Sequence, residues 1–112
     1  MKQAILIRKD IKLPAGKAVS QGSHASVECV LRSDKDKVAN WRKNEMAKIV
    51  LKVKDLEELQ MYNQRAKDSG LVTALITDAG RTSVEPGTIT CLAIGPEEDS
   101  KIDKIVKDLK LY

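Results

Sequence analysis

Four short apolar runs, separated by segments with helical periodicity, constrain what this chain can fold into. The runs cover residues 2–8, 47–53, 71–77 and 88–94. In the first run residues 4–7 are apolar throughout, and a continuous run without alternation is typical of a strand that is buried on both faces. The runs therefore predict four strands.

Four further segments predict helices. The first runs from residue 16 or 17 to about residue 32, and the second follows Asp34, a residue type that often caps helix N-termini. Asp55 is expected to cap a third helix in the same way. The acids at residues 97–99 predict the start of a last helix, because the helix dipole favours negative charge there.

The resulting order is β-α-α-β-α-β-β-α. Helical crossovers indicate parallel pairings and an α/β layer fold, whereas the gap of about ten residues between strands three and four suits neither a tight hairpin nor a helical crossover. We expect a single domain over residues 1–112, with a four-stranded mixed sheet flanked by helices on both faces. Gly95 and Pro96 are expected to end the fourth strand, and residues 109–112 form a tail that could add a short edge.

The composition limits the cellular setting and the chemistry. No apolar run approaches the roughly 20 residues of a membrane span, and the N-terminus lacks the pattern of a signal peptide, so we expect a soluble, cytoplasmic protein. The two cysteines, Cys29 and Cys91, are too few for a disulfide framework or a zinc site, and both are predicted to be buried. No structural metal is expected, although a site built from carboxylates alone stays open.

The charge balance favours an anionic partner. The net charge is +4, from 20 Lys and Arg against 16 Asp and Glu, which fits a partner whose phosphates are contacted by basic side chains. The chain has no Phe, one Trp and two Tyr, so it has few side chains on which bases could stack. If the partner is RNA, recognition should depend on its backbone and shape.

Residues 14–30 carry the pattern that is richest in chemistry. At about 100° per residue, a polar arc falls on one side of the first helix. The polar arc consists of Lys17, Gln21, His24 and Glu28. A lysine at a helix start that follows a strand and a glycine favours an anion, because free N–H groups and the dipole point at it. The alternative is a solvated helix face with a structural histidine.

A second arc beside the polar arc contains only small residues. It consists of Ala18, Gly22, Ala25 and Cys29. Small side chains let a neighbouring element approach closely, so this small arc predicts a packing surface.

Residues 78–82, Asp-Ala-Gly-Arg-Thr, follow the third strand and form the second polar segment. Ligand sites of open α/β sheets lie beyond the carboxyl ends of the strands. If strands one and three are parallel neighbours, this segment meets the start of the first helix at one edge of the sheet. Asp78, Arg81 and Thr82 would then join the polar arc in a group able to position water and stabilise an oxyanion. Each residue taken singly could also be an ordinary turn or surface residue.

Taken together, an ordered set of short strings resembles the type 2 peptidyl-tRNA hydrolase family. The set comprises residues 8–10, 16–17, 21, 23–25, 48–51, 78–82, 86–87 and 92–96. Each string is common by itself, but the set follows the family's order and spacing over nearly the whole chain. The chain resembles the archaeal members more than the eukaryotic ones, some of which carry an N-terminal anchor.

The resemblance implies hydrolysis of the ester that links a peptide to the 3′ end of tRNA, which recycles tRNA in translation. It also implies an α/β fold, peptidyl-tRNA as the partner, no metal or organic cofactor, and dimers as reported for the family. Family proposals for the active site, carried over by matching motifs, indicate five positions in this chain. They are Lys17, His24, Asp78, Thr82 and Thr90.

Gly22 departs from the family's pattern, because many relatives have a cysteine just before the Ser-His-Ala string. If this chain is active, a thiol at that position cannot be the required nucleophile. Cys29 lies more than a turn further along the helix. The departure therefore favours direct attack by water.

We assign the following roles as a hypothesis. Asp78, coupled or not to His24, orients or deprotonates the water, and His24 is alternatively a structural hydrogen-bonding residue. Lys17 stabilises the oxyanion or holds the terminal phosphate.

The remaining polar residues bind the substrate in this hypothesis. Gln21, Thr82 and Thr90 fix substrate or water, and Arg81 contacts tRNA phosphates. The rival hypotheses are a non-catalytic tRNA- or RNA-binding module and an adaptor that uses helices two and three.

Overall fold

The computed structural model describes residues 1–79 and 85–112, and within them the chain forms four helices and five strands. In chain order the elements are β1 (Lys2–Arg8), α1 (Ala15–Arg32), α2 (Lys35–Lys43), β2 (Lys48–Val53), α3 (Leu56–Asp68), β3 (Thr73–Thr77), β4 (Ile89–Glu97), α4 (Asp99–Val106) and β5 (Lys110–Leu111). None of the described helices combines the length and the hydropathy that a membrane span requires.

The strands form one mixed sheet in the order β3-β4-β1-β2-β5. β1 and β2 are parallel, as the helical segment between them predicts, with Leu6 opposite Leu51. The other three pairings, β1 with β4, β3 with β4 and β2 with β5, are antiparallel. The predicted α/β class and mixed sheet are therefore confirmed.

The expectation of four strands is wrong by one. The tail forms β5, which pairs with β2 through Leu111 opposite Leu51, and the N–H of Tyr112 donates to the carbonyl of Val50 at 3.0 Å. A two-residue strand has almost no sequence pattern of its own. Its formation depends on the backbone groups that β2 leaves open.

The prediction that Gly95 and Pro96 end the fourth strand is also wrong, because β4 continues to Glu97. The register between β1 and β4 shifts between Lys2 and Ala4, opposite this dipeptide. A proline is tolerated at such an irregularity, where the ladder does not need its missing N–H. Gly95 has φ 91°, a conformation that favours glycine, and the peptide bond that follows it is cis.

β1 and β3 are not neighbours, contrary to the condition stated for convergence, because β4 lies between them. Both are antiparallel to β4 and so run in the same direction. Their carboxyl ends consequently lie at the same edge of the sheet. The convergence of the two polar segments therefore does not require the two strands to be adjacent.

Helices cover both faces of the sheet, as expected. On one face α3 and α4 pack on a cluster of larger aliphatic residues that includes Leu6, Leu59 and Ile102. On the other face α1 packs on Ile5, Ile7 and several small residues. Every member of the small arc is buried, which confirms that it is a packing surface.

Local capping explains where the short helices begin. The side chain of Asp34 accepts from the N–H of Lys37 at 3.0 Å, and that of Asp55 accepts from the N–H of Glu58 at 2.9 Å. Both caps agree with the sequence. Helix α1 begins at Ala15, one residue before the earliest predicted start, and follows Pro14.

Candidate active site

The start of α1 and the carboxyl end of β3 together form an open groove of about 620 Å³. It is lined by Pro14, Gly16, Lys17, Ser20, Gln21, His24, Thr77, Asp78 and Ala79. We call it the active-site groove. Four predicted site residues meet here, although they are separated by up to about sixty residues of sequence: Lys17, Gln21, His24 and Asp78.

The N-terminal turn of α1 lies on this groove through Gly16 and Lys17. Pro14 precedes the helix and offers no side-chain acceptor, and the first turn contains no acidic residue. The first N–H groups of an α-helix lack partners inside the helix and carry partial positive charge. Together with the Lys17 ammonium they make this end of the groove suited to an anion.

Asp78 is a buried carboxylate at the wall of the groove, with 2% of its surface exposed. Its backbone position is set by β4, because its N–H donates to the carbonyl of Thr88 at 2.8 Å. Its own carbonyl accepts from the N–H of Gly87 at 3.0 Å. Two main-chain hydrogen bonds therefore hold the residue where β3 ends.

Gln21 and Thr90 form a buried pair behind the groove. The hydroxyl of Thr90 donates to Oε1 of Gln21 at 2.6 Å, and Thr90 has none of its surface exposed. Because Oε1 faces Thr90, the amide group directs its Nε2 donors elsewhere. Thr90 thus sits behind Gln21, and it is Gln21 that lines the groove.

His24 is exposed and lines two grooves, the active-site groove and a second one along β3. Its position on the exposed side of α1 does not match a histidine buried in the helix–sheet seam. The last member of the polar arc, Glu28, lies one turn further on and pairs with Arg32, with Oε1 of Glu28 3.1 Å from Nε of Arg32. Three of the four residues of the polar arc, Lys17, Gln21 and His24, therefore line the active-site groove, and Glu28 does not.

The other predicted residues are distributed differently. Arg81 and Thr82 lie outside the described residues. Ser20 and Thr77 also line the active-site groove, although the sequence analysis does not predict them as site residues. Ser20 lies one turn from Lys17 at the margin of the polar arc, which is the signal that could have identified it. Thr77 is the last residue of β3 and directly precedes Asp78.

Neither cysteine has the character of a nucleophile. Both are fully buried, and burial raises the pKa of the Cys29 thiol to about 12 and that of Cys91 to about 11. The Cys91 thiol donates to the carbonyl of Gln21 at 3.2 Å. The prediction that both act as small buried residues is confirmed. In residues 1–79 and 85–112, no three His, Cys, Asp or Glu side chains are arranged to hold a metal ion.

The fold and the groove define a class of protein: an α/β chain with a cationic helix start and a buried carboxylate facing one open groove. A family model identifies this class over the whole chain. The family model "Peptidyl-tRNA hydrolase PTH2" matches residues 1–112, so the chain belongs to this family.

Curated relatives agree over nearly their full length. A peptidyl-tRNA hydrolase of Methanothermobacter thermautotrophicus is 43% identical over 111 residues, which cover 99% of each chain. One of Methanopyrus kandleri is 46% identical over 98% of this chain and 97% of its own. One of Nanoarchaeum equitans is 44% identical over 100% and 99%.

Proposed function

We propose that this chain hydrolyses the ester between peptide and tRNA and releases the free peptide acid and tRNA. One observation carries the proposal in a chain of this family: Lys17, Gln21, His24 and Asp78 line the same groove. An enzyme that adds water to an ester needs a group that accepts a proton from water and a cationic or N–H environment for the oxyanion.

Asp78 and His24 are the candidates for activating water. A free imidazole is ordinarily a better base near neutral pH than a free carboxylate. Asp78, however, is buried and held by the main chain, whereas His24 is exposed. We assign the orientation of the water to Asp78, and His24 receives its proton and passes it to the leaving 3′ oxygen.

Lys17 and the N-terminal turn of α1 stabilise the negative charge. When water attacks the ester carbonyl, the carbonyl oxygen becomes an oxyanion, and pre-placed donors stabilise it without reorganisation. The same group of donors could instead hold the terminal phosphate of the tRNA. The two roles differ in kinetics, because oxyanion stabilisation acts on kcat and phosphate binding acts mainly on KM.

Gln21 offers its Nε2 donors to the substrate, and Thr90 acts through Gln21 by setting the orientation of its amide. Arg81 and Thr82 stay predictions for phosphate and substrate binding. The net charge of +4 supports tRNA binding through the phosphate backbone.

The experiment that tests the proposal is hydrolysis of an N-acetyl-aminoacyl-tRNA, with the free aminoacyl-tRNA as the control substrate. Lys17→Ala should lower kcat/KM by about 10²–10³, the usual loss when an oxyanion donor is removed. Lys104→Ala is the matched control, because it removes the same charge from an exposed position on α4, on the opposite face of the sheet. Salt-dependent tRNA binding without ester cleavage would instead establish the non-catalytic RNA-binding module.

We also propose a cytoplasmic homodimer. A third groove, distinct from the one along β3, lies between α1 and β2 and has mainly apolar walls. It includes Ile5, Val19, Val50 and Tyr112. Val19 is 69% exposed, and an apolar surface of this kind is typical of interfaces. A second copy fits this surface, and Val19→Glu should lower the molar mass measured by sedimentation. The cytoplasm is where translation supplies the substrate.

A further inference from the structure

The active-site groove continues past His24 and Thr77 into a groove of about 530 Å³ between α1 and β3. This β3 groove extends along the helix as far as Arg32 and along the strand from Leu75 to Thr77. Its floor includes the edge of the sheet, because β3 is the outermost strand beside β4. A substrate bound at Asp78 therefore has an adjoining channel beside an open strand edge.

The alternation of β3 shows which backbone groups face this edge. The carbonyl of Val72 accepts from Gly95 and the N–H of Asp78 donates to Thr88, so both residues direct these groups toward β4. The register between β3 and β4 shifts at Thr90, on β4, which leaves the alternation along β3 unbroken. In an antiparallel pair every second residue directs its N–H and C=O to the other side. On β3 these are Thr73, Leu75 and Thr77.

One end of this edge is already used. The carbonyl of Thr73 accepts from Nη1 of Arg32 at 3.2 Å, and Arg32 lines the far end of the β3 groove. Within the described residues no strand pairs with the outer side of β3. The open backbone groups are consequently those of Leu75 and Thr77, directly before Asp78.

We propose that the peptide of the substrate binds here as an added strand, parallel to β3. This inference rests on the proposed function. The peptide carries the ester at its carboxyl end, and Asp78 lies at the carboxyl end of β3, so the two strands must run in the same direction. At about 3.3 Å per residue, the edge from Leu75 to Thr77 contacts about three peptide residues next to the ester.

Recognition of this kind reads the peptide backbone, because hydrogen bonds to a strand edge do not depend on side-chain identity. It suits an enzyme whose substrates carry many different peptides. It also discriminates against free aminoacyl-tRNA, whose single residue has an ammonium group in place of the amide that would pair with Thr77.

The first test varies the substrate and leaves the protein intact. N-acetyl-Ala-tRNA and its homologues with two, three and four alanines should show kcat/KM rising about tenfold with length, as two or three backbone hydrogen bonds are gained, and then levelling off. A single N-methyl group on the amide that pairs with Thr77 or Leu75 should abolish most of the rise.

A rate independent of length, with N-acetyl-Ala-tRNA still hydrolysed, would overturn the added strand and leave the proposed function standing. If none of the substrates is hydrolysed, both the added strand and the proposed function are overturned.

The second test removes a donor from the edge. Leu75→Pro deletes an N–H that does not bond to β4, and proline is tolerated at an edge strand with that N–H outward. Leu75→Ala is the matched control, since it shortens the same side chain but keeps the N–H.

The readout is the ratio of kcat/KM for the four-residue substrate to that for N-acetyl-Ala-tRNA. It should fall toward one in Leu75→Pro and persist in Leu75→Ala. An unchanged ratio in both, or a change in molar mass showing that β3 pairs with a second copy, would overturn the proposal. The N-methyl series decides the matter if Leu75→Pro does not fold.

Discussion

The two faces of the sheet differ in what they bury. The face covered by α3 and α4 contains larger aliphatic side chains, such as Leu59, Ile94 and Ile102, which are fully buried. The face covered by α1 contains mainly small side chains and buried polar groups. Besides Gln21 and Thr90, the hydroxyl of Ser26 donates to Oε1 of Gln3 at 2.6 Å.

The difference shows how stability and positioning are divided. Aliphatic burial stabilises without directional requirements, so the α3/α4 face can supply most of the free energy of folding. Hydrogen bonds between α1 and the sheet add little net stability each, but they are directional and fix the orientation of the helix. The active-site groove lies beside the helix that is fixed in this way.

Among the variants that compare the two faces, Asp78→Asn should have the largest effect on activity and leave the protein folded. The substitution keeps the size of the side chain but removes its charge, and kcat/KM should fall by about 10² because the attacking water is no longer held in position. The variant should stay folded at the assay temperature, as urea denaturation checks, because the main-chain bonds to Thr88 and Gly87 remain. A rate within about twofold would contradict the assigned role.

Leu59→Ala should produce the opposite result. Leu59 is fully buried on the α3/α4 face, and the substitution should cost about 2–5 kcal/mol of unfolding free energy. At a temperature where the variant is folded, kcat/KM should be unchanged. A large loss of activity in the folded variant would show that the two faces are not independent.

Thr90→Val tests whether a buried residue acts through its neighbour. It removes the hydroxyl that orients Gln21 at nearly constant volume. Loss of that hydrogen bond should lower kcat/KM by about tenfold, equivalent to about 1.4 kcal/mol. Thr90→Ser, which keeps the donor, should restore most of the rate. Equal rates for the Val and Ser variants would show that the hydroxyl has only a structural role.

Gly22→Ala should have the smallest effect and tests how closely α1 packs against β1. An added Cβ would lie 3.6 Å from Ile5 and 3.8 Å from Ile7, both ordinary contacts. Since alanine favours a helix over glycine by about 1 kcal/mol, the variant should be as stable as the unmodified chain or more so by up to that amount. A lower melting temperature would mean that α1 and β1 are packed more tightly than these distances indicate.

Sequence alone predicts the parts that depend on local patterns. The apolar runs and the caps Asp34 and Asp55 identify most elements, and helical spacing places Lys17, Gln21 and His24 on one side of α1. These features depend on neighbours within one or two turns, so they are visible without tertiary contacts.

What sequence does not predict depends on distant partners. The insertion of β4 between β1 and β3 is a choice among strand orders that no single segment encodes. Thr90 receives its position behind Gln21 from a hydrogen bond across 69 residues. Pro96 remains in β4 because the register shift between β1 and β4 places an extra β4 residue at this dipeptide, which propensity rules cannot anticipate.

The pairing of Asp78 with Thr88 has a consequence for the dynamics of the site. The N–H of Asp78 donates to the carbonyl of Thr88, directly before the start of β4, so Asp78 is tied to the β3–β4 ladder. Amide groups held in this way exchange with solvent only when the ladder opens locally. Opening of this edge would displace Asp78 from the groove, so the site persists only as long as β3 and β4 stay paired.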